Sequence, residues 1–183
     1  MSRRRRGVSP SLLRFITDFA DAAVVLPLVA VVWALLGRWG TRWAVAVALT
    51  LGAMAGLKVL SFATVGAFSP SGHTASAAIV YGGLAWVLLR PAWGRVVPGL
   101  LAVAGVAAIG WTRLALAAHS PLEVLVGAAV GCAGLVALGQ VSSRLSPASA
   151  RRCRAAMAVP VVWVLFHGHS IDLEGRLRGL AGW

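Results

Sequence analysis

His119-Ser120-Pro121-Leu122-Glu123-Val124-Leu125-Val126-Gly127-Ala128-Ala129-Val130-Gly131-Cys132-Ala133-Gly134-Leu135-Val136-Ala137-Leu138-Gly139-Gln140-Val141 is the stretch on which the fold turns. After Glu123 it carries no charge until Arg144. That is the length of roughly 20 apolar residues with which a helix crosses the hydrocarbon layer. Its entry is polar: Pro121 suits the first turn of a helix, and Ser120 with Glu123 has the spacing of a capping box. His119 then sits just before the cap. Glu123 can either cap the helix or accept the Nδ1 proton of His119 and fix its tautomer. The spacing leaves both roles open.

Similar runs recur along the chain, at 19–36, 44–60, 73–89 and 96–111 as well as 121–141, with a shorter one at 155–166 that contains Pro160. Of the 183 residues, 59% are hydrophobic and 12% charged, and the mean hydropathy is +0.84. A soluble domain carries about a quarter charged residues. The composition therefore specifies an integral membrane protein. The expected fold is an all-α, multi-span transmembrane helical bundle of five or six spans, in one domain. A basic N-terminal tail is expected over 1–14, the membrane domain over 15–167 and a polar C-terminal tail over 168–183. Asp18 and Asp21 interrupt the approach to the first run, so 19–36 reads as a retained span and not a cleaved signal.

A net charge of +12 raises nucleic acid as a partner. The arginines, however, sit in short gaps between apolar runs, where headgroup-level cations belong, and this excludes that class. Gly37 to Trp43, with two tryptophans and two arginines, reads as an interfacial loop. Cys132 and Cys153 make neither a disulfide framework nor a metal-ligand spacing. Near the C-terminus His167, His169, Asp172 and Glu174 match no standard zinc pattern and read as a surface tail. Gly127 and Gly131, four apart, permit close helix packing.

Ionisable groups at the edges of apolar spans face polar cavities and mark function. Those groups here are Lys58, the sole lysine, with His73, Arg113, His119 and Glu123. Two crossings separate the stretch Lys58–His73 from the stretch Arg113–Glu123, so both return to one face. Ser69-Pro70-Ser71-Gly72-His73-Thr74 adds a hydroxyl and the N–H groups of a helix start, which bind anions. Two imidazoles, two cations and one carboxylate suit phosphoryl transfer. Cations and N–H groups hold the anionic phosphorus, one imidazole attacks and the other protonates the leaving oxygen.

Pro70-Ser71-Gly72-His73 and Arg113…His119…Glu123 resemble the second and third signature motifs, P-S-G-H and S-R-x5-H-x3-D, of the phosphatidic-acid phosphatase type 2 and vanadium haloperoxidase superfamily. The likeness runs from about Lys58 to Gly131. It implies a membrane lipid phosphatase that acts on a lipid phosphate or diphosphate, needs no metal or other cofactor, and has the lipid bilayer and its substrate as partners. By position it makes His119 the nucleophile, His73 the general acid and Glu123 the partner of His119. Lys58, Ser71, Gly72 and Arg113 become the phosphate-binding residues. Three positions depart from the pattern: Val65-Gly66 replaces the Arg-Pro of the first motif, Thr112 replaces Ser, and Glu123 stands where Asp is usual. A missing arginine removes a charge-assisted contact of roughly 1.5–3 kcal/mol. The alternative is therefore a weakened or inactive member that binds anionic headgroups, or a small transporter.

The face opposite the site carries Arg38, Arg42, Arg90, Arg95, Arg144, Arg151, Arg152 and Arg154, against Arg3 to Arg6 and Arg14 on the site's own face. The positive-inside rule then gives a cell (inner) membrane protein with its site facing outward, towards the periplasm in a bacterium.

Overall fold

The computed structural model describes residues 8–64, 66, 68–142 and 146–180, so the Arg3–Arg6 cluster, Val65 and Arg144 lie outside the described residues. Helices alone build it: α1 (Pro10–Asp18), α2 (Ala22–Leu36), α3 (Arg38–Thr64), α4 (Gly72–Ser76), α5 (Gly82–Trp93), α6 (Val96–Ala115), α7 (Pro121–Ser142), α8 (Ser149–Phe166) and α9 (Leu173–Leu180). A π-helical turn, Ala77–Tyr81, joins α4 to α5. Among the described residues, five segments are long and apolar enough to cross a membrane: Pro10–Leu36, Arg38–Thr64, Gly72–Trp93, Val96–Ala115 and Pro121–Ser142. The multi-span all-α bundle is borne out. Leu49, Val103, Leu125 and Val164 are exposed on its flanks, as apolar side chains facing lipid should be.

The first span breaks near its start. Asp21 turns the chain there and caps α2, its Oδ1 accepting the Ala23 N–H at 2.8 Å. At the far end of α2 a single residue reverses direction. Gly37 has φ 58°, a left-handed conformation that glycine adopts freely, and α3 begins at the next residue.

That tight reversal corrects the expected interfacial loop at Gly37–Trp43. Trp39 and Trp43 lie in the first turns of α3 and are buried in the core against α2 and the π turn. Their rings stack at 6.1 Å, and Trp43 Nε1 donates to the Ile79 carbonyl at 3.3 Å. The reason is steric. A Cβ on Gly40 would lie 2.7 Å from the Trp33 carbonyl oxygen, so only glycine lets α3 lie this close to α2.

The short sixth run is longer than it reads. α8 starts at Ser149 and takes Arg151, Arg152 and Arg154 into its first turns; its 18 residues span about 27 Å. Arg151 lies against Gly37 at one end of the bundle. At the other end the His167 ring packs at a tilt against Phe15 and Phe19, and its Nε2 sits 2.8 Å from the Phe15 carbonyl. α8 thus runs the length of α2. Pro160 does not end it, because Ala155, Val159 and Val162 are buried in the core cluster with Val25, Leu28 and Val32 of α2, and tertiary packing outweighs local propensity.

Candidate active site

The two motif loops are held together at one end of the bundle by Glu123. Its Oε2 accepts the Ser120 N–H at 2.7 Å while the Glu123 N–H points to Ser120 Oγ at 3.4 Å, a reciprocal capping box. Its Oε1 accepts a short hydrogen bond from the Ser69 N–H, and its carbonyl accepts the Ser71 N–H at 2.9 Å. One residue therefore starts α7 and clasps the loop that starts α4. Ser71 caps α4: its Oγ accepts from the Thr74 N–H at 3.4 Å and the Thr74 hydroxyl at 2.9 Å. Beneath this loop lie the two glycines of α7. A Cβ on Gly127 would fall 2.2 Å from the Ser71 carbonyl oxygen, and one on Gly131 would fall 2.6 Å from that of Ala75.

Of the two roles open to Glu123, capping holds its oxygens. His119 Nδ1 lies 3.6 Å from Glu123 Oε2, beyond hydrogen-bond reach, and has no hydrogen-bond partner among the described residues. The His119 side chain is only 3% exposed. Burial, then the positive charges of Arg113 and Lys58, push its pKa below the ordinary 6.5, which favours the neutral imidazole at pH 7. Activity that depends on neutral His119 should hold its plateau down to about pH 6.5 and fall only below it. A pH profile of kcat/KM checks this, and an acidic limb centred above 6.5 contradicts it.

Asp21, Lys58, Gly72, His73, Arg113 and Glu174 line a cavity of about 300 Å³, with Leu51, Met54, Leu173 and Leu177 among its apolar walls. Larger cavities of about 430 and 820 Å³ are lined mainly by apolar side chains; the smaller one gathers Asp21, Lys58, His73, Arg113 and Glu174. His73 Nε2 stands 3.8 Å from Asp21 Oδ2. Arg113 reaches Thr17 Oγ1 at 3.5 Å, and its buried Nε has no hydrogen-bond partner among the described residues. Ser71, His119 and Glu123 do not line the cavity, and Ser71 is wholly buried.

Lys58 is occupied. Its Nζ donates to Ser69 Oγ at 2.9 Å and to Glu174 Oε2 at 2.8 Å. Burial raises the Glu174 pKa, but the hydrogen bond and charge of Lys58, with hydrogen bonds from Arg178 and Ser69, hold it at about 2. Asp21, Ser69 and Glu174 are site residues that the sequence reading missed. The usable signal was scarcity: with only five carboxylates in the chain, a buried Asp21 beside His73 and a partly exposed Glu174 paired with Lys58 carry weight.

A helical membrane bundle here gathers two histidines, cations and a capped loop at one end, the types of group that phosphoryl transfer uses. Residues 58–147 match the family model of the PAP2 superfamily, and the family read from the motifs is borne out. The match opens on Lys58 and takes in both histidine motifs; α1, α2, α8 and α9 lie outside it. That match supports a phosphatase-type activity in general terms. No curated protein and no solved structure matches the chain.

Proposed function

We propose that the protein is an integral-membrane phosphatase that hydrolyses a lipid phosphate or diphosphate, without a metal, through a phosphohistidine on His119. The observation that carries this is the Glu123 clasp, which joins the His73 loop to the His119 loop at one end of the bundle. Neutral His119 attacks phosphorus, and the bond to the lipid oxygen breaks as His73 donates its proton to that oxygen. Water then attacks the phosphohistidine, His73 takes the water's proton, and phosphate leaves with His119 restored. Lys58, Arg113 and the Gly72 N–H stabilise the phosphoryl oxygens, and Ser71 supports them from its cap. His119 is enclosed, so a substrate reaches it only once the cavity wall between them shifts. The arginines of α3, α5 and α8 at the opposite end favour a site that faces outward.

Purified protein should release phosphate from phosphatidate or a polyprenyl diphosphate in EDTA. A strict need for a divalent metal would overturn the mechanism. The occupied Lys58 and enclosed His119 favour a second reading, a binder of anionic headgroups that does not turn over; binding with no release across the same lipids would establish it.

A further inference from the structure

Three donors from separate parts of the chain converge on one carboxylate at the edge of the cavity. Lys58 Nζ reaches Glu174 Oε2 at 2.8 Å, while Ser69 Oγ and Arg178 Nη2 reach Oε1 at 3.1 and 3.0 Å. Lys58 and Ser69 are themselves 2.9 Å apart, so the donors form a compact seat for an oxyanion. A carboxylate offers this seat one charge on two oxygens; a phosphate group offers up to two charges on three oxygens and engages the same donors more strongly.

The seat survives without Glu174. Lys58 extends from α3, Ser69 is pinned through its backbone to Glu123, and the Arg178 guanidinium packs over the Phe62 ring at 5.2 Å. Rotation of one side chain would vacate the seat while α9 stays docked through Leu173 and Leu177 on the cavity wall. The seat also lies near the reacting centre, since the Glu174 charge acts on His119 alongside those of Arg113 and Lys58.

We propose that Ser69 and Arg178 are phosphate ligands together with Lys58, and that Glu174 is an internal anion which a phosphate group must displace. This rests on the phosphatase reading for its substrate, but the seat itself is tested by binding. Arg178 supplies a cation from the opposite end of the sequence, where the stretch after Lys58 has none until α4 begins.

The test uses the full chain in detergent micelles, with titrations of inorganic phosphate and of phosphatidate in mixed micelles, followed by calorimetry. Glu174→Gln should tighten binding about tenfold, because an occupied seat lowers apparent affinity by the fraction that is free. Arg178→Ala should weaken it about tenfold or more, Ser69→Ala several-fold, and Arg178→Lys should recover part of the loss. Arg178 is half exposed, so its replacement leaves the fold intact, which thermal melts verify. Unchanged or weaker binding in Glu174→Gln overturns the proposal, as does unchanged binding in Arg178→Ala. Tightening for both ligands assigns the seat to the phosphate group itself, tightening for phosphatidate alone to the esterified headgroup, and for neither refutes it. Binding without turnover would sink the phosphatase reading and leave the seat standing.

Discussion

His119→Ala should stop phosphate release from a lipid phosphate while leaving the protein folded. Without the ring there is no group to accept the phosphoryl, and no other imidazole in the site can replace it, since His73 stands against Asp21 at 3.8 Å on the cavity wall. Truncating this buried ring, whose side chain is 3% exposed, leaves a cavity that should cost about 2 kcal/mol of stability, with no hydrogen bond to Nδ1 lost besides. His73→Ala should behave differently. Losing a general acid lowers the rate by about 10²–10⁴-fold for an alkyl leaving group. An aryl phosphate, whose leaving oxygen needs no proton, should recover most of that loss. Phosphate release in EDTA from both substrates, with melts alongside, separates the two roles. Equal and unrecovered losses in the two variants would mean that His73 and His119 have not been assigned correctly.

Gly127→Ala should destabilise the protein and lower its activity together, since among the described glycines it would make the closest backbone clash. The added Cβ would lie 2.2 Å from the Ser71 carbonyl oxygen and 3.0 Å from its carbon, and both are backbone atoms that no rotamer change can move aside. The α4 start must back away from α7, which stretches the Ser71–Glu123 backbone hydrogen bond and the Ser69 contact to the Glu123 carboxylate. Overpacking of this kind costs about 1–3 kcal/mol. Here the strain falls on the loop that positions His73, so activity should fall with stability. Gly139→Ala is the control on the same helix: nothing lies within 4 Å of its Cβ position, and the change should be neutral or stabilising by roughly 0.5–1 kcal/mol. Thermal melts in detergent with phosphate release measure both. Equal melting temperatures for the two variants would contradict the packing described for Gly127.

What could be read in advance follows the range of the interactions. The apolar runs report directly on crossing, because a helix satisfies its own backbone and needs only length and hydropathy to span a bilayer. Ser120 and Glu123 cap α7 within a few residues of each other; their spacing offered that cap and the orienting of His119 equally, and the packing chose the cap. Trp39 and Trp43 show where such reading fails. Tryptophan beside arginine between two apolar runs is the pattern of a headgroup anchor, yet Gly37 reverses the chain so tightly that both rings enter the core. The five candidate spans leave α8 aside as well, because its arginines lower its hydropathy while its buried face is set by α2.

From its sequence alone this protein is a helical membrane bundle, with Lys58, His73, Arg113 and His119 at one end by the parity of crossings and with the family motifs around them. Tertiary structure alone decided what those groups touch. It spent the Glu123 carboxylate on backbone N–H groups, set Asp21 beside His73, and brought Glu174 and Arg178 of α9 to Lys58. The reason is distance along the chain. A hydrogen bond between residues 58 and 174 has no local spacing to betray it, and exists only because the helices between them pack in one arrangement.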